Sequence, residues 1–243
     1  MGAGAGHRLQ LGAALNVITV DLGKTSVREL NRTLHALPPA TNERLWRVLH
    51  PRGAHALAAG LTQRIEVTIE GHVGYYCAGM NQAACVTIHG HAGQGLAENI
   101  MSGVVRVTGN ASQAAGASGH GGLVVIEGDA SSRCGISMKG VDIVVRGSVG
   151  HMSAFMAQAG HLVVCGDAGP DLGDSLYEAV LFVRGEVASL GSDCIEKPMT
   201  DAHLAKLEEL LERAGFDLDA GDFRRYGSAR NLYNFHIDHA GSY

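Results

Sequence analysis

The sequence predicts a mainly β protein: a right-handed parallel β-helix of seven 19-residue coils, with small helix-containing extensions at both ends. Three observations predict it. Short segments of the form apolar–x–apolar–x–Gly recur, with their glycines at positions 71, 90, 109, 128, 147, 166 and 185, always 19 apart. Aligned on that period, the positions between the glycines form uniform columns. Composition agrees, since 34 of 243 residues are glycine, 46% are hydrophobic and only 18% are charged. Disordered chains show the opposite balance, and 5% aromatics leaves the core to small and β-branched side chains.

The columns explain each element. One reads Val67, Val86, Val105, Val124, Ile143, Leu162, Leu181, and the next but one reads Ile69, Ile88, Val107, Ile126, Val145, Val164, Val183. Alternation with period two and β-branching is the pattern of a strand with one buried face. The column after the second apolar one is mixed and polar (Glu70, His89, Thr108, Glu127, Arg146, Cys165, Arg184), as an outward face requires. Two residues beyond each glycine the side chains are apolar again and mostly small, from Val73 to Val187. A third small column (Ala84, Gly103, Gly122, Val141, Gly160, Ala179) precedes the next strand. A short strand, a glycine corner and a return within 19 residues make one coil of a parallel β-helix. Glycine fits corners that turn sharply or need φ > 0. Seven coils stacked at strand spacing give a rod about 34 Å long. A left-handed hexapeptide helix fits poorly, because 19 is not a multiple of six.

The flanks follow other rules, giving three regions: an N-terminal extension and cap (1–66), the β-helix (67–199) and a C-terminal helix with an aromatic arm (200–243). Roughly the first 12 residues read as flexible. Leu15–Val20 reads as a strand, and Ser26-Val-Arg-Glu29 is a capping box that opens a helix ending before Pro38-Pro39. Asn42 is placed to cap a second short helix through Trp46 to Leu49. These pieces would cover the open end of the helix and its strand edges. Past Pro198, Thr200 caps a helix with Leu204, Leu207, Leu210 and Leu211 on one stripe, closed by Gly215. The tail from Phe216 to Tyr243 is aromatic, and reads equally as a cap folded along the rod or an arm for a partner.

Composition excludes several function classes. A net charge of −5 without a Lys/Arg run argues against nucleic acid. No stretch reaches the roughly 20 apolar residues of a membrane span. No signal peptide is evident, and five cysteines without a CxxC pair fit a reduced, cytoplasmic setting. The glycines satisfy no G-x-G-x-x-G, and Gly23-Lys24-Thr25 fails as a P-loop because position 18 is Ile. His72 and His91 fall one coil apart and could pair on a metal, but their column continues Asn110, Asp129, Ser148, Asp167, Glu186, a polar turn ladder. His120 and His151 have no acid or thiol partner in register. Cys77 and Cys134 share a column with Leu96 and Ala115 and read as buried. Asp167, Asp171 and Asp174 read as turn solvation, and uninterrupted coils leave no groove for a polymer substrate. No catalytic, cofactor-binding or metal residue is predicted in this chain.

Five segments resemble a known family: Gly74-Tyr-Tyr-Cys-Ala-Gly-Met-Asn81, Ala97-Glu-Asn-Ile-Met-Ser-Gly103, Arg133-Cys-Gly-Ile-Ser-Met-Lys-Gly-Val-Asp142, Gly150-His-Met-Ser-Ala-Phe-Met-Ala-Gln-Ala-Gly160 and Phe223-Arg-Arg-Tyr-Gly-Ser-Ala-Arg230. They resemble the GXGXG domain, the β-helix at the C-terminal end of the glutamate synthase large subunit, found also in formylmethanofuran dehydrogenase. The likeness is greater to the stand-alone GXGXG subunit of N-methylglutamate synthase (methylamine–glutamate N-methyltransferase). That resemblance implies a cytoplasmic hetero-oligomer in which this chain is a non-catalytic subunit. One partner would be like a glutamine amidotransferase, and another, like a synthase domain, would carry FMN and an iron–sulfur cluster. Such a complex would form N-methylglutamate and ammonia from methylamine and glutamate. The interface candidates are then turn residues (Tyr75, Tyr76, Met80, Asn81, Glu98, Asn99, Arg133, Lys139, His151, Met152) and tail residues (Phe223, Arg224, Arg225, Tyr226, Tyr233, Phe235).

Overall fold

A computed structural model describes residues 16–230. In chain order the elements are β1 (Val17–Asp21), α1 (Val27–His35), β2 (Leu45–Leu49), β3 (Glu66–Glu70), β4 (Cys85–His89), β5 (Val104–Val107) and β6 (Leu123–Ile126). They continue with β7 (Lys139–Val145), β8 (Ala159–Val164), β9 (Val180–Val183), β10 (Cys194–Lys197), α2 (Asp201–Ala214) and β11 (Arg224–Ser228). Strands β1 to β9 stack in sequence order as one parallel sheet, the main wall of a β-solenoid. From β3 to β9 paired residues lie 19 positions apart, as Val67 with Val86, Val86 with Val105 and Leu162 with Leu181, except at a register shift where Lys139 pairs with Ala159. A second wall is a ladder of single bridges from Val73 through Ala92, Ala111, Ala130, Val149 and Ala168 to Val187. The apolar columns face inward and form one continuous core.

One expectation fails at the N-terminal end. Leu45–Leu49 is strand β2, not a helix capped by Asn42. Trp46 and Val48 point into the core while Arg47 between them is exposed, and they pair with Val67 and Ile69. The period-two alternation was present, but here the spacing to the next strand is 21 residues, so the 19-residue period passed over it. Strand β1 pairs with β2 in the same manner, so the sheet begins well before residue 67. Helix α1 closes that end as expected: Ser26 caps it by accepting from the Glu29 N–H, and Leu30 and Leu34 bury into the core. Asn31 ties α1 to the coil above, donating to the Ala56 carbonyl and accepting from the Ala58 N–H.

At the other end, Thr200 accepts from the His203 N–H and Gly215 closes α2 in the left-handed conformation, at φ 73°. The helix lies across the outer face of the sheet. The outward strand column reads Thr68, Thr87, Arg106 and then Val125, Val144, Val163, Phe182, and its apolar half is what α2 covers. Leu207, Leu210, Leu211, Phe216 and Phe223 pack there in a second core. Cys165, expected to face solvent, is buried beneath the same cover. Arg106 reaches the far end of α2, donating to the Ala214 carbonyl at 2.7 Å, where a cation complements the negative helix terminus. The chain then returns as β11, antiparallel to both β9 and β10. Up to residue 230 the tail folds back along the rod through Phe216, Phe223 and Tyr226.

The glycine column has a different reason from the one composition suggests. At Gly90 an added Cβ would stand 2.7 Å from the Gly71 carbonyl carbon, and at Gly166 the same distance from that of Gly147. Coil backbones meet there, and no side chain fits. Gly71 also has positive φ, at 130°, but the regularly repeated left-handed backbone lies in the turn that follows the second wall. Residues 76, 78 and 80 have φ > 0, and the set recurs one coil on at 95, 97, 99 and again up to 171, 173, 175. Alternating the sign of φ points alternate N–H groups up and down the rod. Arg133 and Ser137 donate to the coil above (His151 and Phe155 carbonyls), and Gly135 donates to the coil below (Ala115 carbonyl). Each non-glycine residue held this way costs on the order of 1 kcal/mol, and the stacked hydrogen bonds hold it.

Candidate functional site

The residues best able to do chemistry are engaged by the fold. In the turn ladder, the His72 and His91 rings stack with centroids 4.9 Å apart. His72 Nδ1 accepts from the His91 N–H at 2.9 Å, and His91 Nδ1 accepts from the Asn110 N–H at 2.8 Å. Asn110, Asp129, Ser148 and Asp167 repeat the bond with side-chain oxygens up to the Glu186 N–H. Each rung supplies an acceptor to a backbone donor one coil later, so the ladder seams coil to coil. No group of three or more His, Cys, Asp or Glu side chains with metal-binding geometry occurs among the described residues.

The thiols are equally committed. Cys77 and Cys134 are fully buried in one column, and burial pushes both up to about 12. Burial also raises Cys165 to about 12 and Cys194 to about 11. At ordinary pH all four remain protonated, the unreactive form of a thiol. Cys85 is exposed, and its pKa is raised by burial and by the charge of Glu66.

One polar cluster was not expected from the sequence. Asp142 and His161 face each other across β7 and β8, with Oδ1 and Nδ1 2.7 Å apart. Lys206 and Arg213 of α2 approach the other carboxylate oxygen at 3.4 and 3.7 Å. Burial alone would raise the Asp142 carboxyl; the His161 hydrogen bond and the charges of His161 and Lys206 hold it below its ordinary value. Beyond the stacked Phe182 ring lies His203, whose pKa is lowered by burial and by the charges of Arg225 and His161. This cluster clamps α2 to the sheet. Its signal was a column, Glu66, Cys85, Val104, Leu123, Asp142, His161, in which an acid and an imidazole fall one period apart.

The interface candidates separate into two groups. Tyr75, Tyr76, Met80, Arg133, Lys139 and His151 are exposed on the wall formed by the left-handed turns, with Glu98, Asn99 and Met152 half-buried beside them. Tyr75 stacks on His55, with ring centroids 4.5 Å apart. His151 does have an acid partner, Asp171 at 3.4 Å, which sits one column out of register. The other group is internal. Asn81 is 0% exposed and bonds the Ala84 and Ser102 carbonyls and the Ala84 N–H, a corner brace that leaves nothing for a partner. Phe223 and Tyr226 are buried in the two cores. Arg224 donates to the Gly185 carbonyl, and Arg225 to the Pro198 carbonyl. Tyr233 and Phe235 lie outside the described residues. Met101, Met156 and Tyr177, which sequence reasoning missed, are exposed on the turn wall as well. Among the described residues no helix is long and apolar enough to cross a membrane.

No protein-family model and no solved structure matches this chain. Protein GlxC of Rhizobium meliloti (strain 1021) is 61% identical to it over 225 residues, which cover 92% of this chain and 99% of that protein.

Proposed function

Because the chain belongs to the family of protein GlxC, we propose that it serves as that family's β-solenoid scaffold, a subunit of a glutamate synthase-like complex without an active site of its own. The observation that carries the reading is the engagement of its reactive groups. The ladder imidazoles accept backbone hydrogen bonds, and the buried thiols are held protonated. A chain that commits His72, His91 and four of its five cysteines to the stacked coils, while exposing tyrosines and methionines on one wall, has the chemistry of an assembly part.

In the finer form of this proposal the complex is N-methylglutamate synthase, joining methylamine to glutamate and releasing ammonia. Partner subunits would hold FMN and an iron–sulfur cluster and resemble a glutamine amidotransferase, and the assembly would work in the cytoplasm. A glutamate synthase or a formylmethanofuran dehydrogenase would use the same rod with other partners. The support for the finer form is the likeness of the five segments quoted above. Its test is turnover. The complex purified from the native host should form N-methylglutamate from methylamine and glutamate, and deleting this chain should abolish it. Formation of N-methylglutamate at an undiminished rate by a complex lacking this chain would overturn the proposal.

A further inference from the structure

Resting on the scaffold reading, we infer which wall of the rod meets the partner and what that partner presents. Each coil has a strand wall and a left-handed turn wall, and large exposed apolar side chains are distributed unequally between them. Of nine such side chains among the described residues, six lie on the turn wall or at its exit: Tyr75, Tyr76, Met80, Met101, Met156 and Tyr177. They form two patches, at the first two and the last two of the regular turns. Met80 and Met101 are related in the same way as Met156 and Tyr177, one coil and two columns apart. Such clustering marks a protein interaction surface, where Tyr and Met are favoured.

Local backbone sharpens the point. Tyr76, Met80 and Met156 hold left-handed φ of 58°, 55° and 52°. Elsewhere the same columns mostly carry short side chains that suit a turn (Gly95, Ala114, Asn99, Ser118), with Arg133 and Met152 the bulky exceptions. Bulky residues there gain nothing for the fold, because they are exposed and strained.

Charge defines the middle of the wall. Between the two patches stand Arg133 and Lys139, both exposed, and neither has a carboxylate within 4 Å among the described residues. Of the acids on the same wall, Asp171 faces His151 and Asp174 bonds Ser175 and the Ser192 N–H, while Glu98 is half-buried two coils before Arg133. The occupant is therefore a partner protein face that is apolar at both ends and carries carboxylates between them. Over five coil spacings it runs about 24 Å along the rod. The strand wall is closed to such a partner over its apolar half, where α2 already lies.

The columns themselves supply the test. In the full chain expressed in its native host, Tyr76→Gly, Met80→Asn, Met101→Gln and Tyr177→Gln each install a residue that another coil already carries in that column. They should fold as well as the wild type by thermal melting, while the flavin co-eluting with the tagged chain falls roughly tenfold. Arg133→Glu with Lys139→Glu should do the same and weaken the salt dependence of assembly. Glu66→Gln with His89→Gln, on the strand wall, should leave co-elution unchanged. Retention of flavin by the turn-wall variants would overturn this inference and leave the scaffold reading standing. Absence of flavin from the wild type would overturn both.

Discussion

The strand wall and the turn wall are made by the same 19-residue repeat and obey different rules. On the strand wall, side chains alternate, the inner columns are apolar, and the outer column turns from Thr and Arg to Val and Phe where α2 lies on it. On the turn wall, the backbone alternates instead, with φ positive at every second residue and the N–H groups of those residues aimed in turn up and down the rod. The strand wall is fixed by what packs on both of its faces. The turn wall is fixed by hydrogen bonds between coils and leaves its side chains free to differ. That difference teaches where a rod of repeats keeps its individuality: in the side chains on the wall whose stacking does not depend on them.

The largest effect should come from the glycine corner between the strand wall and the bridge ladder that follows it. Gly90→Val would drive a side chain into the Gly71 backbone and cost about 3 kcal/mol in urea unfolding. A loss below 1 kcal/mol would mean that the coils are not in contact there. Next is the clamp of α2 on the strand wall. Asp142→Asn should cost about 2 kcal/mol at neutral pH, as Lys206 and Arg213 lose the negative charge they face. Because the folded Asp142 carboxyl sits below its ordinary value, its contribution is complete above roughly pH 4 and is lost as pH falls through the folded value. The variant should therefore show a flatter acid limb than the wild type in melting temperature against pH.

Smaller effects probe the turn side. Asp129→Ala removes one rung, the acceptor for the Ser148 N–H, and should cost about 1 kcal/mol by chemical denaturation. Arg133→Gly relieves a left-handed residue with φ 58° and should stabilise the isolated chain by about 0.5–1 kcal/mol, raising its melting temperature. If that substitution destabilised instead, the turn wall would depend on its side chains as the strand wall does.

The strand wall was legible because burial repeats: Val67, Val86 and Val105 are apolar for the same reason in every coil. Helix ends were legible too, because Ser26, Thr200 and Gly215 act within one turn of chain. Strand β2 was not, since its spacing to β3 departs from 19 and a nearby Asn mimics a cap. The corner glycines were located correctly and assigned to sharp turns or φ > 0; close backbone approach is a property of two coils and leaves the same letter in the sequence. Of the candidate site, exposed Tyr75, Tyr76 and Met80 were readable, whereas Asn81, Phe223 and Tyr226 look identical in sequence whether they brace the interior or face a partner. The Asp142–His161 clamp shows that a column can be read for charge as well as for burial.

Native mass spectrometry of the tagged chain from its own host tests most directly whether this rod is part of a larger assembly. The expected result is a hetero-oligomer containing a glutamine amidotransferase-like subunit and a yellow-brown subunit with FMN and an iron–sulfur cluster. A colourless, monodisperse monomer would contradict it.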